Sequence, residues 1–305
     1  MNGLRIPLRG PGGEPVDLWR TLVSHGFHDL APMRLDERGQ TLTLTLRVPR
    51  GRPRRVTIGA GPRRSASVSV LGPAPSAAAA AAIERQVAVV LHLDHDLSGF
   101  YAIAAGDPDL AWTTAGAGRM LRSPTVFEDV IKTLCTTNCS WGLTRTMVQA
   151  LVTNLGEAPI ASRDPLANAF PTAAAMAAQD ERFYREVVRS GYRAPHFVKL
   201  AQAVTTGALD LETLGAAPRD EVSDEGVERA LLALPGIGPY AAAHIMMTLG
   251  RNSKLILDSW TRPTYKRLAG AKRKPTDAQI VRRFRRYGAD AGLAFWLFVT
   301  QDWAD

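Results

Sequence analysis

The sequence predicts an α+β protein, in which an antiparallel β-sheet in an N-terminal accessory domain is followed by a mostly α-helical domain. Alternation of apolar and polar residues, which is typical of strands, is confined to the first 95 residues. Helical patterns punctuated by Gly, Pro and Ser fill the rest. The chain of 305 residues is long enough for two domains with cores of their own. We therefore expect an α+β domain over residues 1–95 and a helical domain over residues 96–305.

Three short strands predict the sheet of the first domain. Leu42–Val48 alternates over a strand's length, and Val56–Ile58 and Ala66–Val70 follow it between turns rich in Gly, Pro and Arg. Asp17–Ser24 has the pattern of a helix beside these strands. Ser76 is a preferred N-cap residue, so an alanine-rich helix is expected to begin after it and to end near residue 91.

The helices of the second domain begin or end at residues that favour helix termini. Proline is tolerated in the first turn, whereas glycine commonly follows the last one. On these signals we predict a helix that starts near Pro124 and further helices over Leu143–Leu155, Ala173–Ala178, Phe183–Val188 and Pro195–Thr205.

The composition is that of a folded protein with an anionic partner. Hydrophobic residues make up 46% of the chain and charged residues 22%. No stretch of about 18 apolar residues is present and the N-terminus lacks the apolar core of a signal peptide, so a cytoplasmic location without membrane contact is expected, with association to the nucleoid in a bacterium. The net charge of +8 and the arginine clusters at Arg50–Arg64 and Lys272–Arg286 favour nucleic acid over a membrane surface.

The two cysteines exclude some site types. Cys135 and Cys139 are four residues apart, and would be neighbours on one helix. Two thiols cannot form a disulfide framework or a four-cysteine metal site. We expect two free thiols and no metal site.

The most distinctive local feature is a pair of helices over Val227–Gly250. The turn Leu234-Pro235-Gly236-Ile237-Gly238 joins them, and Pro239 opens the second helix. The glycines would let the backbone approach a phosphate, the amides of the second helix would bind it, and Ile237 would plug the hairpin from inside. Such helix-hairpin-helix elements also occur in nucleases, polymerases and recombination proteins. This element therefore predicts DNA binding but does not indicate which reaction the protein catalyses.

An aspartate follows the hairpin at a defined distance. Lys254–Asp258 is an apolar, strand-like stretch whose last residue lies twenty positions after Gly238. In isolation, Asp258 would be read as the N-cap of the next helix. Together, hairpin and aspartate resemble the helix-hairpin-helix (HhH-GPD) DNA glycosylase superfamily. The resemblance implies a glycosylase core, with an N-terminal sheet like that of the bacterial 3-methyladenine DNA glycosylases, and a catalytic role for Asp258.

Two further segments are similar to the 8-oxoguanine DNA glycosylases. Leu134–Asn138 is similar to the family's stretch that sets an asparagine against the base opposite the lesion. Gly191–Ala194 is similar to the family's motif in which a tyrosine acts as a wedge in the gap left by the extruded base and an arginine contacts the base that stays behind. The resemblance thus implies that Asn138 and Arg193 contact the opposite base and that Tyr192 is the wedge. Without it, Tyr192 would be an aromatic at the core edge and Arg193 a phosphate contact.

Two departures from that family bear on the reaction. Its attacking lysine, early in the second hairpin helix, corresponds to Tyr240 here, as in some mismatch thymine or uracil glycosylases, and the hairpin contains no lysine. A Schiff base lacks an obvious nucleophile, so we expect a monofunctional hydrolase. The family's second asparagine is Cys139, which leaves the preferred opposite base open. No cysteine follows Asp258, so no iron–sulfur cluster is expected, and a monovalent cation at the hairpin is the one cofactor left open.

The resulting hypothesis is a monomer that acts on double-stranded DNA containing a damaged base. The carboxylate of Asp258 would stabilise positive charge on the sugar. Tyr240, His244 and Trp260 are the predicted base pocket, although His244 could equally be a core histidine. The aromatics Phe295, Trp296 and Phe298 are expected in the core more than in the pocket. Oxidised purines are the favoured substrates, followed by alkylated purines and then by mismatched or deaminated pyrimidines. A bifunctional glycosylase/lyase and a non-catalytic damage-binding protein stay open as alternatives.

Overall fold

The computed structural model describes residues 3–304. One antiparallel sheet contains five strands in the order β1-β5-β4-β3-β2. The strands are β1 (Gly3–Pro7), β2 (Arg34–Asp36), β3 (Thr41–Leu46), β4 (Arg54–Gly61) and β5 (Ser65–Val70). The three predicted strands are confirmed as β3, β4 and β5. The two edge strands, β1 and β2, were not predicted, because edge strands with few buried residues carry little of the alternation that identifies strands.

Register explains why the sheet has one apolar face. Leu42 pairs with Ile58, and Ile58 pairs with Val68, so three fully buried side chains form a row across three strands. Two helices pack on this face, α1 (Leu18–Leu22) and α2 (Ala77–Val90). Their N-caps are short polar side chains, as the sequence predicts: Asp17 accepts from the amide of Arg20, and Ser76 accepts from the amide of Ala79.

Helices dominate the rest of the chain. They are α3 (Ser98–Ala104), α4 (Val126–Thr136), α5 (Trp141–Leu155), α6 (Ala173–Ala177), α7 (Glu181–Glu186), α8 (Ala194–Thr205), α9 (Leu211–Ala216), α10 (Asp224–Leu232), α11 (Pro239–Thr248), α12 (Thr261–Leu268), α13 (Asp277–Phe284) and α14 (Ala291–Val299). Short 3₁₀ turns lie at Gly26–Asp29, Ala111–Ala115, Pro165–Ala167, Gly191–Arg193, Arg285–Asp290 and Gln301–Ala304. Each helix predicted from the sequence is present, with ends shifted by at most three residues. Within residues 3–304, no helix is long and apolar enough to cross a bilayer.

Helix α11 is the centre of the helical part. All its residues from Ala241 to Thr248 are buried. One side packs into an apolar core with α4, α5, α8 and α10, and the opposite side packs into a second core with α3, α12, α13 and α14. A helix that packs into two cores is apolar on most of its surface, and apart from His244 the AAAHIMM sequence is apolar. Since α11 is fixed so firmly, its exposed N-terminus is held at a defined place.

One predicted element is wrong. The stretch Lys254–Asp258 is an extended segment without strand pairing. It is apolar because Ile256 is buried in the second helical core and Leu255 and Leu257 pack against that core. A short apolar run of this kind does not by itself distinguish a strand from another buried segment.

Candidate functional site

A cleft of about 1100 Å³ lies at the N-terminus of α11. Its walls come from the loop after α1, the residues at and after the end of α4, the start of α5, the turn that contains Tyr192, the turn before α11 with the first half of α11, the segment before α12, and two tryptophans near the C-terminus. It contains eight of the ten predicted site residues: Asn138, Tyr192, Gly236, Gly238, Tyr240, His244, Asp258 and Trp260. The other two, Ile237 and Arg193, lie beneath its surface.

The turn between α10 and α11 presents backbone to the cleft. Gly236 has a φ of +81°, and a Cβ at this position would lie 2.7 Å from the His196 ring and 2.9 Å from Leu134, so glycine is needed for both conformation and space. Gly238 caps α11 ahead of Pro239 and has open space around its Cα. Ile237 is buried in the first helical core, as the predicted plug should be. Helix α11 therefore starts at the cleft with its N-terminus uncovered, which is favourable for an anion.

Asp258 is half-buried in the cleft wall and caps α12. Its Oδ1 accepts from the amides of Trp260, at 2.8 Å, and Thr261, at 2.7 Å, while its own amide donates to the Thr261 hydroxyl at 2.9 Å. The second carboxylate oxygen, Oδ2, has no hydrogen-bond partner among the described residues. The N-cap interpretation and the catalytic interpretation of Asp258 are therefore compatible, because Oδ1 holds the side chain in place while Oδ2 is available to a ligand in the cleft.

Tyr240 and His244 line the same side of α11, with ring centroids 6.2 Å apart. Burial raises the pKa of the Tyr240 phenol, and the charge of Asp258 raises it further. Burial also lowers the pKa of His244 to about 4, although Asp258 opposes this shift. The phenol and the imidazole are accordingly both neutral near pH 7.

Three tryptophans form the wall opposite α11. The rings of Trp260 and Trp303 lie 5.2 Å apart, and Trp296 lies 6.2 Å from Trp260 and 5.7 Å from Trp303. Trp260 was predicted and Trp303 was not. Trp296 lies in the second helical core with Phe295 and Phe298, as expected, and it differs from them in also lining the cleft. Nothing in the local sequence distinguishes Trp303.

His25 was also missed by the sequence analysis. It lies in the loop after α1, and its ring is 5.4 Å from that of His244 in an edge-to-face arrangement. Its Nε2 donates to the carbonyl of Leu121 at 2.5 Å. Burial lowers the pKa of His25 well below its ordinary value, and His244 adds to this effect. The N-terminal part of the chain thus contributes directly to the floor of the cleft.

Asn138 and Tyr192 meet at the rim. The amide of Asn138 donates to the Tyr192 hydroxyl at 3.3 Å, and Thr137 Oγ1 lies 3.2 Å from the same hydroxyl. Asn138 has a φ of +46°, which asparagine tolerates better than most residues. The Tyr192 side chain is 51% exposed. Two segments that are distant in sequence therefore present a polar and an aromatic group side by side.

The structure contradicts the predicted placement of Arg193. This residue is 3% exposed and lies under the rim instead of in the cleft. Its guanidinium donates to the carbonyls of Leu134, Ser190 and Thr137 and to the Thr137 hydroxyl, and it stacks 4.5 Å from the Tyr192 ring. Its N–H groups already donate to carbonyl oxygens at the end of α4 and beside that helix. The guanidinium therefore cannot hydrogen-bond a base in this arrangement. It supports the rim.

Thiols and lysines near the cleft bear on which chemistry it can support. Cys135 and Cys139 are free thiols, as expected, although Cys139 follows the end of α4, so the two do not share one helix. Among residues 3–304, no group of three His, Cys, Asp or Glu side chains could hold a metal ion. No lysine within this range lines the cleft. Lys132, on α4, is fully buried in a pair with Glu128 at 2.6 Å.

Comparison with known proteins identifies solved structures of the same fold. No protein-family model and no curated protein sequence matches the chain. A 3-methyladenine DNA-glycosylase from Archaeoglobus fulgidus is similar over 97% of this chain and 98% of its own, with 21% identity and a TM-score of 0.73. MBOgg1 in complex with a low-affinity DNA ligand is similar over 100% and 97%, with 17% identity and a TM-score of 0.72.

A third structure extends the comparison. The 8-oxoguanine glycosylase/lyase of Clostridium acetobutylicum, in its apo-form, is similar over 98% of this chain and 96% of its own, with 16% identity and a TM-score of 0.71. These identities are low, so the likeness establishes the fold. The predicted fold class, an antiparallel sheet joined to a helical core of the glycosylase type, is confirmed.

Proposed function

We propose that this protein is a DNA glycosylase of base-excision repair, which hydrolyses the N-glycosidic bond of a damaged base and leaves the DNA strand intact. One observation carries the proposal: Asp258 in the cleft wall, close to the start of α11, keeps one carboxylate oxygen that no described residue hydrogen-bonds. A fixed carboxylate beside a phosphate-binding turn is what cleavage of this bond requires.

The reaction would use Asp258 electrostatically. When the bond between base and sugar breaks, positive charge develops on the sugar, and a preorganised carboxylate stabilises it. The free oxygen of Asp258 can also orient the attacking water and accept its proton. The hydrogen bonds from Trp260 and Thr261 hold the side chain, so it needs no reorganisation during the reaction.

The DNA would bind across the mouth of the cleft. A phosphate would contact the turn at Gly236 and Gly238 and the uncovered N-terminus of α11, contacts that are independent of sequence. Extrusion of a base costs a few kcal/mol and leaves a gap in the stack. The exposed Tyr192 ring would fill this gap, and Asn138 beside it would contact the base that stays behind. The net charge of +8 supports the backbone contacts.

Among the described residues, no amine lines the cleft, which supports a monofunctional enzyme. The second residue of α11 is Tyr240, and burial and Asp258 both raise the pKa of its phenol, which makes it a poor nucleophile. No described lysine lines the cleft, and Lys132 is held by Glu128 and Ser123. Water would then be the nucleophile, and an intact abasic site the product. By analogy with the named activities of the structural neighbours, the base would be an oxidised or alkylated purine.

Two assays on one set of duplexes test the proposal. Each duplex carries a single damaged base, and the protein is incubated with it before treatment with hot alkali, which cleaves the strand at abasic sites. We expect strand cleavage only after alkali. Borohydride added during the reaction traps a Schiff base, so a covalent protein–DNA adduct would show a lyase and contradict the monofunctional mechanism. Failure to release any base from a broad panel would contradict the glycosylase itself.

A further inference from the structure

The floor of the cleft contains two buried imidazoles with unsatisfied nitrogens. His25 and His244 are both at least nine-tenths buried and both line the cleft. Their rings meet edge to face, with centroids 5.4 Å apart. Nδ1 of His25 and both nitrogens of His244 have no hydrogen-bond partner among the described residues. Buried polar atoms are normally satisfied, so three unsatisfied nitrogens in one place point to an occupant of the cleft.

The protonation of His25 follows from its one hydrogen bond. The Leu121 carbonyl can only accept, so Nε2 of His25 must carry the hydrogen. A neutral imidazole has a single N–H, which leaves Nδ1 as a hydrogen-bond acceptor. Burial lowers the pKa of His25 well below its ordinary value, so the ring is neutral at physiological pH.

The position of the N–H hydrogen is fixed in His25, whereas in His244 either ring nitrogen can carry it. Burial lowers the pKa of His244 to about 4, so this ring too is neutral, with one donor and one acceptor nitrogen. No partner among the described residues selects its tautomer. Trp260, Trp296 and Trp303 offer ring faces for stacking beside the two histidines, and the Tyr240 phenol lies next to His244. Among the described residues that line the cleft, the two imidazoles are the ones with buried polar atoms that lack a hydrogen-bond partner, so they are the groups left to bond an occupant.

We propose that His25 and His244 select the extruded base by its N–H groups, with His25 Nδ1 accepting a ring N–H and His244 bonding the neighbouring carbonyl oxygen. This inference rests on the proposed glycosylase function and narrows its substrate to neutral bases in which a ring N–H stands beside a carbonyl. Oxidised purines such as 8-oxoguanine, and deaminated bases such as hypoxanthine and uracil, have this arrangement. Ethenoadenine has no N–H, and would leave the His25 acceptor unsatisfied.

The decisive experiment compares two substitutions at His25. In His25→Gln the side-chain amide occupies the Nε2 position, where it can still donate to Leu121, but the acceptor at Nδ1 is lost. In His25→Asn the amide occupies the Nδ1 position instead. Single-turnover excision is measured on duplexes with one 8-oxoguanine, hypoxanthine, uracil or ethenoadenine. Thermal unfolding and duplex affinity are recorded for each variant.

We expect the wild type to excise at least one of the three N–H bases faster than ethenoadenine. His25→Gln should lower the rate on that base about 10- to 100-fold, the usual effect of losing a buried hydrogen bond, while duplex affinity is unchanged. His25→Asn should retain more of the rate. Should a His25 variant fail to fold, His244→Phe keeps the size and ring contacts of His244, removes its nitrogens and should give the same selective loss.

The outcomes separate this inference from the proposed function. A wild-type protein that excises ethenoadenine at least as fast as every N–H base would overturn the inference and leave a glycosylase. A folded His25→Gln that retains the wild-type rate on the preferred base would do the same. If the wild type releases none of these bases, and none from the broader panel, then the glycosylase assignment fails and the inference falls with it.

Discussion

At the scale of single residues, Asp258 combines a structural and a chemical role that one substitution can separate. In Asp258→Asn the amide oxygen can still accept from Trp260 and Thr261, so the cap of α12 is kept, while the negative charge is lost. Under the proposed function, excision should fall a few hundredfold, equivalent to about 3–4 kcal/mol of transition-state stabilisation. Single-turnover assays measure the rate, and thermal unfolding should be nearly unchanged.

The same substitution at a second aspartate provides the control. Asp277 pairs with Arg262 at 2.8 Å and does not line the cleft. Asp277→Asn removes the same charge from the same region of the chain, and should leave the excision rate within about twofold of wild type, since exposed ion pairs contribute little. Equal excision by Asp258→Asn and wild type would remove Asp258 from the mechanism.

Arg193 shows what a motif cannot predict. Its identity suggested a base contact, whereas its donors are used by carbonyls at the end of α4 and beside it. Arg193→Met should destabilise the fold by about 2–4 kcal/mol, because buried carbonyls lose their partners. Denaturant unfolding measures this cost, with Tyr192→Met as a control, since Tyr192 is exposed. A stable Arg193→Met with a changed opposite-base preference would restore the predicted role.

At the scale of elements, the two glycines of the hairpin have separable functions. A Cβ at Gly236 would meet His196 and Leu134 and would require an unfavourable φ, so Gly236→Ala should reduce the free energy of unfolding by about 1–3 kcal/mol. Gly238 has no atoms near the position of an added Cβ and a negative φ. Gly238→Ala should therefore fold normally and weaken DNA binding by obstructing the phosphate.

Duplex titrations at several salt concentrations, combined with unfolding curves, test this pair. The expected result is a loss of affinity for Gly238→Ala without loss of stability. If Gly238→Ala binds undamaged duplex as tightly as wild type, the hairpin turn is not a phosphate site. The two substitutions can be compared directly because the glycines lie two residues apart in one turn and differ mainly in φ and in the space around an added Cβ.

The elements also divide into those that the sequence could and could not predict. The hairpin, α2 and the central strands were predicted because their signals are local: Pro239 at a helix start, Ser76 as a cap and the alternation of Leu42–Val48. The contribution of His25 and Trp303 to the cleft was not, because both reach it through tertiary packing of distant segments. Trp296 differs from its neighbours Phe295 and Phe298 only in the direction that α14 gives it. Propensity and spacing contain no information of that kind.

At the scale of the whole molecule, the lowered pKa values of the histidines in the cleft and the core make the stability of the fold depend on pH. Burial lowers the pKa of all six histidines: to about 4 for His95 and His244, well below the ordinary value for His25 and His92, and below the ordinary value for His28 and His196. A group whose pKa is lower in the folded chain takes up a proton on unfolding. The contribution of these histidines to the free energy of unfolding is therefore fully present above the ordinary pKa near 6.5. It is lost as the pH falls from there towards the pKa of the folded state. Burial raises the pKa of Asp129 to about 7, which acts in the opposite direction.

A difference measurement separates His244, together with its effect on His25, from the other histidines and from Asp129. With a pKa of about 4 in the folded chain and about 6.5 in the unfolded one, His244 should remove about 2 kcal/mol of stability between pH 7 and pH 5. His244→Phe abolishes this titration and keeps the ring contacts with Phe27 and Trp296. Urea unfolding at the two pH values should thus show a smaller acid-induced loss for the variant than for the wild type. Equal losses would mean that His244 titrates normally, with its nitrogens open to water, and would remove the buried, neutral imidazole on which selection of the base depends.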